Sequence, residues 1–347
     1  MEALIDRFGE PTLLLLIGLI TGVVFGAAAY QSRFCLRAAT SEVAQGTAGP
    51  KLAIWLITFL TALFAVQLSV LAGILYVGDS RQLASVGSLS GAIIGGIMFG
   101  VGMILARGCA SRLLVLSASG NLRAIVTGLV LTLTAQATLR GTLSPAREYL
   151  VALWTLPGGD IRDLSALLSL PRGGVVALAG VALVAALVFG SRRRLTPSEI
   201  ASSAVVGVAV WMGWWLTYLL AQSSFEVVNI QSVTFTGPST DTLMALINTP
   251  TLVRNFGTGL VPGVFVGALV VALLKGEARI QRFEPDTRME RYLLGGVLMG
   301  FGAMLAGGCA VGAGVTGGSV LSLTAWVAVF FMWVGAVSTQ KALKDKA

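Results

Sequence analysis

Three cysteines occur in the chain, and each follows a long apolar run at a short polar or glycine-containing stretch. Cys35 lies in YQSRFCLR, Cys109 in LARGCASR and Cys309 in LAGGCAVG. A thiol is a weak hydrogen-bond donor with a soft sulfur atom. It therefore suits a soft sulfur or selenium ligand without the strong attraction of a full charge. The sequence contains no histidine, which excludes histidine metal sites, histidine proton relays and Ser-His triads.

Two other interpretations of the cysteines are open at this point. Free cysteine is often a small buried hydrophobe, so the three residues could be inert in a channel-like or structural protein. A membrane thiol oxidoreductase would need a cysteine pair that forms a disulfide. The odd number of cysteines and the absence of a CxxC pair argue against that class of enzyme.

Composition places these thiols in a membrane protein. The chain has 347 residues, of which 55% are hydrophobic and 12% charged, whereas a soluble domain carries about 25% charged residues. The mean hydropathy is +0.85. The first ten residues, MEALIDRFGE, lack the basic region of a signal peptide, so we expect the first apolar run to be retained as a span. We attribute the net charge of +8 to cytoplasmic loops rather than to nucleic-acid binding.

The lengths of the uncharged runs predict an all-α polytopic inner-membrane protein with nine spans, because one span needs about 20 apolar residues. The run 292–340 is too long for one span, so it must turn at GGCAVGAGVTGG and cross again. The other runs are 12–30, 52–78, 82–106, 124–139, 173–190, 200–225 and 255–274. With the N-terminus outside, 17 of the 24 Lys and Arg residues fall on the cytoplasmic side. This bias predicts an external N-terminus and a cytoplasmic C-terminus.

An internal repeat connects two of the cysteines. IIGGIMFGVGMILARGCA (93–110) aligns without a gap with LLGGVLMGFGAMLAGGCA (293–310), and nine of the 18 positions are identical. A weaker match aligns YQSRFCLR with AQSSFEVV and places Glu226 opposite Cys35. We therefore predict one transport domain, 1–347, with a first half 12–142, a connecting span 173–190 and a second half 199–340. Five preceding spans make the second half enter from the opposite side, as in inverted-repeat transporters.

Four semi-polar stretches, beginning at Gln31, Arg107, Gln222 and Gly307, are too short to span a bilayer. Irregular backbone at membrane depth is tolerated where it is buried in protein or lines a cavity. We therefore expect short re-entrant helices whose N-termini point inward and attract anions. The repeated glycines of the spans are expected to allow close helix packing. They are Gly95, Gly96, Gly100 and Gly102, with Gly295, Gly296, Gly300 and Gly302 in the second half.

Several residues at these breaks are candidates for the substrate pathway. Gly108 and Gly308 are expected to adopt backbone geometry closed to other residues and to leave space beside the thiols. Arg107 is either part of an anion funnel or ordinary cytoplasmic charge, and Arg37 and Arg112 are assigned to the latter. Glu226 lies in an uncharged run, where a carboxylate either couples protons or accepts bonds from helix N–H groups. The candidate pathway comprises Cys35, Cys109, Cys309, Gly108, Gly308, Arg107 and Glu226.

The motifs SRFCLR, RGCASR and GGCAVGAG, together with the inverted repeat, resemble the YeeE/YedE family of sulfur transporters over nearly the whole chain. The resemblance implies import of thiosulfate across the bacterial inner membrane, passed along Cys35, Cys109 and Cys309 by S–H···S hydrogen bonds. It also implies a cytoplasmic TusA-like sulfurtransferase as partner. A selenium compound or another sulfur oxyanion is the alternative substrate, and we expect no cofactor. Many relatives carry histidine in a GC-x-x-G-H-G pattern, where this chain has Ala313.

Overall fold

The computed structural model describes residues 2–224, 226–248, 253–283 and 288–344. Apart from a pair of two-residue antiparallel strands, β1 (Gly87–Ser88) and β2 (Thr155–Leu156), regular structure in these ranges is helical. A 3₁₀ turn covers Asp160–Arg162 and a π-helix covers Ala310–Gly317. The α-helices are α1 Glu2–Phe8, α2 Glu10–Ser32, α3 Leu36–Ala44, α4 Pro50–Leu71, α5 Arg81–Ala84, α6 Leu89–Leu105, α7 Ala110–Ala118, α8 Leu122–Arg140, α9 Ser144–Ala152, α10 Leu164–Leu167, α11 Arg172–Arg192, α12 Pro197–Ser223, α13 Thr236–Asn248, α14 Phe256–Leu274, α15 Met289–Leu305 and α16 Leu323–Lys344.

Nine helical stretches within the described ranges are long and apolar enough to cross a membrane, which confirms the all-α polytopic fold. Six are single helices: α4, α8, α11, α12, α14 and α16. The other three continue past a break into a shorter segment, at Glu10–Ala44, Leu89–Ala118 and Met289–Gly317. Because the spans alternate in direction, α2 begins on one face, called the N-terminal face below, and α16 ends on the opposite C-terminal face.

The helices are shorter than the uncharged runs of the sequence. α4 ends at Leu71, although the uncharged run continues to residue 78. Gly73 has a φ of 72°, and the N–H of Ile74 bonds back to the carbonyl of Ser69 at 3.1 Å. A left-handed glycine with this backbone bond terminates a helix. Residues 72–88 therefore form a connection on the N-terminal face, and this connection contains α5.

The two halves of the chain pack in corresponding helix pairs. α2 packs on α14 and α4 on α12, while α6 packs on α16 and α15 on α8. At the centre, α6 contacts α15 and α2 contacts α12. When the two halves are exchanged, so that α2 corresponds to α12 and α6 to α15, each contacting pair corresponds to a pair in the same set. Such matched pairs are the pattern that two similar halves related by a two-fold axis produce.

Glycines form the contact between α6 and α15. A Cβ added at Gly95 would lie 2.5 Å from the carbonyl oxygen of Gly302, and one at Gly102 would lie 2.6 Å from that of Gly295. Such separations are far below van der Waals contact, so the two backbones touch directly. The expected packing role of the repeated glycines is confirmed at these positions.

A second glycine contact, which was not predicted from the sequence, joins α2 and α14. Gly18, Gly22 and Gly26 recur every four residues along α2, as Gly259, Gly263 and Gly267 do along α14. A Cβ at Gly22 would lie 2.9 Å from the backbone nitrogen of Val264. Small residues at this spacing allow helix backbones to approach closely in a membrane. The repeated spacing was therefore an available signal for this helix pair.

Candidate functional site

The same backbone motif ends the helix before each cysteine. Arg33, Arg107 and Gly307 lie two residues before the three cysteines and have φ values of 54°, 52° and 76°. The residue after each donates its N–H to a carbonyl five residues earlier, which is the Schellman arrangement. These bonds are Phe34 to Ala29 (3.2 Å), Gly108 to Met103 (3.2 Å) and Gly308 to Ala303 (2.9 Å). One local geometry therefore places all three thiols.

Each cysteine is the N-cap residue of the segment that follows its break. Cys35 precedes α3, Cys109 precedes α7 and Cys309 precedes the π-helix. The Cys309 sulfur accepts a hydrogen bond from the N–H of Gly312 at 3.4 Å. All three cysteines are free and buried. The sulfurs thus lie where unpaired backbone N–H groups and the positive end of a helix dipole favour an anion.

Two of the three thiols lie near each other. The side chains of Cys35 and Cys109 interact with each other, and Cys109 Sγ lies 3.3 Å from Ser111 Oγ. This pair lies at the ends of α2 and α6 that point toward the C-terminal face. Cys309 lies at the end of α15 that points toward the N-terminal face, and its π-helix contacts α7. The cysteines therefore approach the middle of the protein from both faces.

We expect the proximity of Cys35 and Cys109 to allow disulfide formation. Treatment of the purified protein with copper phenanthroline, which oxidises two thiols to a disulfide, should link Cys35 to Cys109. Mass spectrometry of peptides without reduction should find this link and a free Cys309. The variant Cys35→Ser is the control and should give no intramolecular disulfide. A Cys109–Cys309 link as the main product would contradict the observed geometry.

The semi-polar stretch that begins at Gln222 packs against the π-helix that follows Cys309. Thr316 Oγ1 donates a hydrogen bond to the carbonyl of Val233 at 2.5 Å. Gly312 packs against Thr234 so closely that any Cβ would overlap its side chain. The rings of Phe25 and Phe235 lie 5.1 Å apart, which connects this stretch to α2. The stretch that begins at Gln222 therefore reaches the cysteine region, although it carries no thiol.

Basic residues surround the thiol pair at the C-terminal face. A 570 Å³ cavity at this face is lined by Tyr30, Arg33, Arg112 and Glu277. Arg112 Nη1 is buried without a hydrogen-bond partner, and the Arg112 charge acts on Cys35. Tyr30 donates a 2.7 Å hydrogen bond to Glu277, which holds the pKa of that carboxyl below its usual value.

Arg107 does not face this thiol pair. Its side chain is exposed and lines a separate 450 Å³ cavity together with Arg37, Arg123, Arg288 and Arg291. Arg112, assigned to ordinary cytoplasmic charge, lines the 570 Å³ cavity instead, and its charge acts on Cys35. A role of Arg107 in an anion funnel stays a prediction. The sequence could not separate the two, since both lie within three residues of Cys109.

The expected backbone role of Gly108 and Gly308 is wrong. Neither residue has a positive φ, because the left-handed position falls on the preceding Arg107 or Gly307. The two glycines also differ in their surroundings. A Cβ at Gly108 would meet Leu113 at an ordinary 3.4 Å, whereas one at Gly308 would lie 2.8 Å from the backbone nitrogen of Ala313. Gly308 is therefore required for close packing on the π-helix, and Gly108 is not.

This difference predicts opposite outcomes for one substitution at matched positions. Gly308→Ala should displace the π-helix and with it Cys309, and should lower transport about tenfold or more, since misplacement by 1 Å can cost about 100-fold in a positioned site. Gly108→Ala is the control and should change transport less than about twofold, because its Cβ finds ordinary contacts. Initial uptake rates at equal membrane expression measure both. Equal losses in the two variants would contradict the assigned role of Gly308.

Glu226 is not brought to the cysteines. It follows the end of α12 on the N-terminal face, is exposed, and its N–H bonds to Ser224 Oγ at 3.0 Å. Ser224 Oγ in turn donates to Glu10 at 2.5 Å. The prediction of a carboxylate buried in the membrane fails here because the connection begins at Ser224, within the uncharged run.

Residues that the sequence analysis overlooked line the N-terminal face. Residues 141–171 form a connection that contains α9, β2, the 3₁₀ turn and α10. This connection brings Arg147 and Arg162 to a 430 Å³ cavity that also contacts Arg81 and Gly307. The sequence offered no periodic pattern or motif in this region, so its arginines were counted only as loop charge.

Comparison with known proteins agrees with this geometry. The profile of the family described as "Sulphur transport" matches residues 31–338, which include all three cysteines and all four broken segments. The chain belongs to the sulphur transport family. It is 26% identical over 332 residues to the thiosulfate transporter TsuA of Escherichia coli strain K12, covering 93% of this chain and 92% of that protein. It is also 26% identical over 334 residues to TsuA of Spirochaeta thermophila, covering 92% and 96%. Membership in the sulphur transport family supports a transporter rather than an enzyme.

Proposed function

We propose that this chain imports thiosulfate into the cytoplasm and that Cys35, Cys109 and Cys309 contact the ion along its path. The observation that carries this proposal is the placement of three buried free thiols at the N-terminal ends of three broken helices. The TsuA relatives, which are named as thiosulfate transporters and align over more than nine-tenths of this chain, support the choice of substrate.

The chemistry of thiosulfate matches both groups that the breaks present. Thiosulfate is a dianion whose terminal sulfur is soft, while its oxygens are hard acceptors. Backbone N–H groups at helix N-termini suit the oxygens, and a thiol can donate a weak S–H···S bond to the terminal sulfur. Weak contacts at several stations also allow release, which passage requires. Sulfate lacks the soft sulfur, so the thiols favour thiosulfate over sulfate.

The proposed path runs between the two faces through the cysteines. Cys309 receives the ion from the N-terminal face, and the neighbouring pair Cys109 and Cys35 passes it toward the C-terminal face. Import requires the N-terminal face to be external, as the distribution of Lys and Arg favours. We place the protein in the bacterial inner membrane and propose the halves 12–142 and 199–340, with 173–190 between them, which the corresponding helix pairs support. A cytoplasmic TusA-like sulfurtransferase is the proposed acceptor.

Uptake of labelled thiosulfate in cells that lack other sulfate and thiosulfate importers tests the proposal. We expect uptake with the chain and background uptake with an empty vector. Unlabelled thiosulfate should compete, while selenite and sulfite test the alternative substrates. Background uptake of labelled thiosulfate together with saturable uptake of labelled selenite or sulfite would move the substrate to that class. Absence of uptake from a well-expressed chain would refute thiosulfate import.

A further inference from the structure

Two cavities meet at the N-terminal face beside Cys309. One measures 430 Å³ and lies against residues 141–171, and the other measures 530 Å³ and lies against the stretch 229–241. Both are lined by Arg81, Gln82, Arg147 and Gly307, and the second also reaches Gly308. Since Gly307 and Gly308 immediately precede Cys309, the two cavities open onto the break that carries this thiol.

Arg162 is buried at the edge of the first cavity, with only 5% of its surface exposed. Its guanidinium donates to the carbonyl of Ser85 and to Thr324 Oγ1, the latter at 2.7 Å, while Nε has no partner. These partners are neutral. Burial lowers the pKa of Arg162, and the nearby charge of Arg81 lowers it further. A buried cation held beside a second cation is costly unless an anion compensates both charges.

Carboxylates do not supply that compensation among the described residues that line the cavities. Glu148 pairs with Arg147 at 3.1 Å, and Asp241 lines only the second cavity. Neither Arg81 nor Arg162 forms an ion pair in the described part of the chain. Arg81 reaches only the carbonyl of Gly307, at a long 3.5 Å. The side-chain oxygen of Gln82 is also buried without a partner.

We propose that Arg81 and Arg162 form an entry site for divalent sulfur oxyanions, which holds the ion at the N-terminal face before it reaches Cys309. The site extends the proposed function and rests on it for the direction of transport. A guanidinium presents a planar fork of N–H donors that matches two oxygens of an oxyanion. The site therefore recognises charge and oxygen geometry rather than soft sulfur. Sulfate should bind here as thiosulfate does, and discrimination between them falls to the cysteines further in.

Equilibrium binding to the purified full-length protein tests this site independently of transport. Sodium sulfate and sodium thiosulfate are titrated by calorimetry at constant ionic strength, because screening by salt weakens exposed charges. We expect saturable binding of both ions to the wild type. Arg81→Gln should raise both dissociation constants about tenfold, through the loss of charge-assisted hydrogen bonds. Arg7→Gln is the matched control, since Arg7 is an exposed arginine on the same face and lines neither cavity.

A second substitution separates charge from geometry. Arg162→Lys keeps the cation and removes the fork, so it should weaken binding of sulfate and thiosulfate alike. If this buried substitution prevents folding, Arg81→Gln alone decides, because Arg81 is exposed. The proposal is overturned if sulfate does not bind the wild type or if Arg81→Gln binds both ions as Arg7→Gln does. If the chain takes up no thiosulfate but binds sulfate in a manner that depends on these arginines, the entry site stands and the proposed import is refuted.

Discussion

Replacement of Cys109 by alanine is expected to reduce thiosulfate uptake by between about 5-fold and about 100-fold. Leaving a buried group without a partner costs about 1–3 kcal/mol, and this energy corresponds to a loss of that size. Cys109 lies near Cys35 on one side, and its segment α7 contacts the π-helix that follows Cys309 on the other. The substitution therefore removes the middle thiol of the proposed path. Initial rates of labelled uptake, at equal membrane expression, measure the effect.

Cys109→Ser separates the two properties of the thiol. A hydroxyl keeps a hydrogen-bond donor of similar size and loses the soft sulfur. If the serine variant takes up thiosulfate as poorly as the alanine variant, the effect is due to the sulfur atom. If the serine variant recovers full uptake, the effect is due to hydrogen bonding. Unchanged uptake in Cys109→Ala would show that this cysteine is only a packing residue and would contradict the proposed path.

The second large effect is expected at the contact between α6 and α15. Gly95→Val introduces side-chain atoms where even a Cβ would lie 2.5 Å from the carbonyl oxygen of Gly302 and 2.6 Å from the backbone nitrogen of Ala306. Overpacking of a tight interface costs about 1–3 kcal/mol or more, so we expect the Tm of the purified protein to fall by about 5 °C or more. Thermal unfolding in detergent, followed by the loss of the monodisperse peak in size-exclusion chromatography, measures this change.

Gly128→Val provides the matched control for the helix glycine. Gly128 lies within α8, and no atom would lie within 4 Å of an added Cβ. Both substitutions replace a helical glycine with the same β-branched residue, so they share the intrinsic change in helix propensity. The Tm of the control should stay within about 2 °C of the wild type, as for ordinary surface substitutions. An equal fall in both variants would refute the role of direct backbone contact at Gly95.

The spans and their breaks were predictable because bilayer thickness fixes the length of an apolar segment. The alignment of 93–110 with 293–310 also located two of the three thiol-bearing breaks correctly. The left-handed positions were not predictable, since two of the three are occupied by Arg33 and Arg107, residues that rarely adopt this conformation. Glycine preference therefore pointed to Gly108 and Gly308, whereas the left-handed residue is the one before each Gly-Cys pair.

The arginines show a second limit of the sequence. Spacing along the chain indicates which face of the membrane a charge occupies, but not which cavity its side chain enters. Arg107 and Arg112 are five residues apart and line different cavities. Arg81 and Arg162 line one cavity although eighty residues separate them. Side-chain direction at a break depends on the tertiary contacts of the segment that follows, which one sequence does not reveal.

The connecting span α11 is attached to the rest of the protein chiefly through α4. Much of its surface is uncovered, with Leu178, Val181 and Val184 each at least 60% exposed. Its main contribution is therefore to make the number of spans before the second half odd. Because of this single extra crossing, the next four spans run in the opposite direction to the first four. A peripheral helix that supplies no thiol thus determines whether Cys309 meets the Cys35–Cys109 pair from the opposite face or lies beside it on the same one. Duplication of a four-span unit alone would have left all the thiols on one side of the membrane.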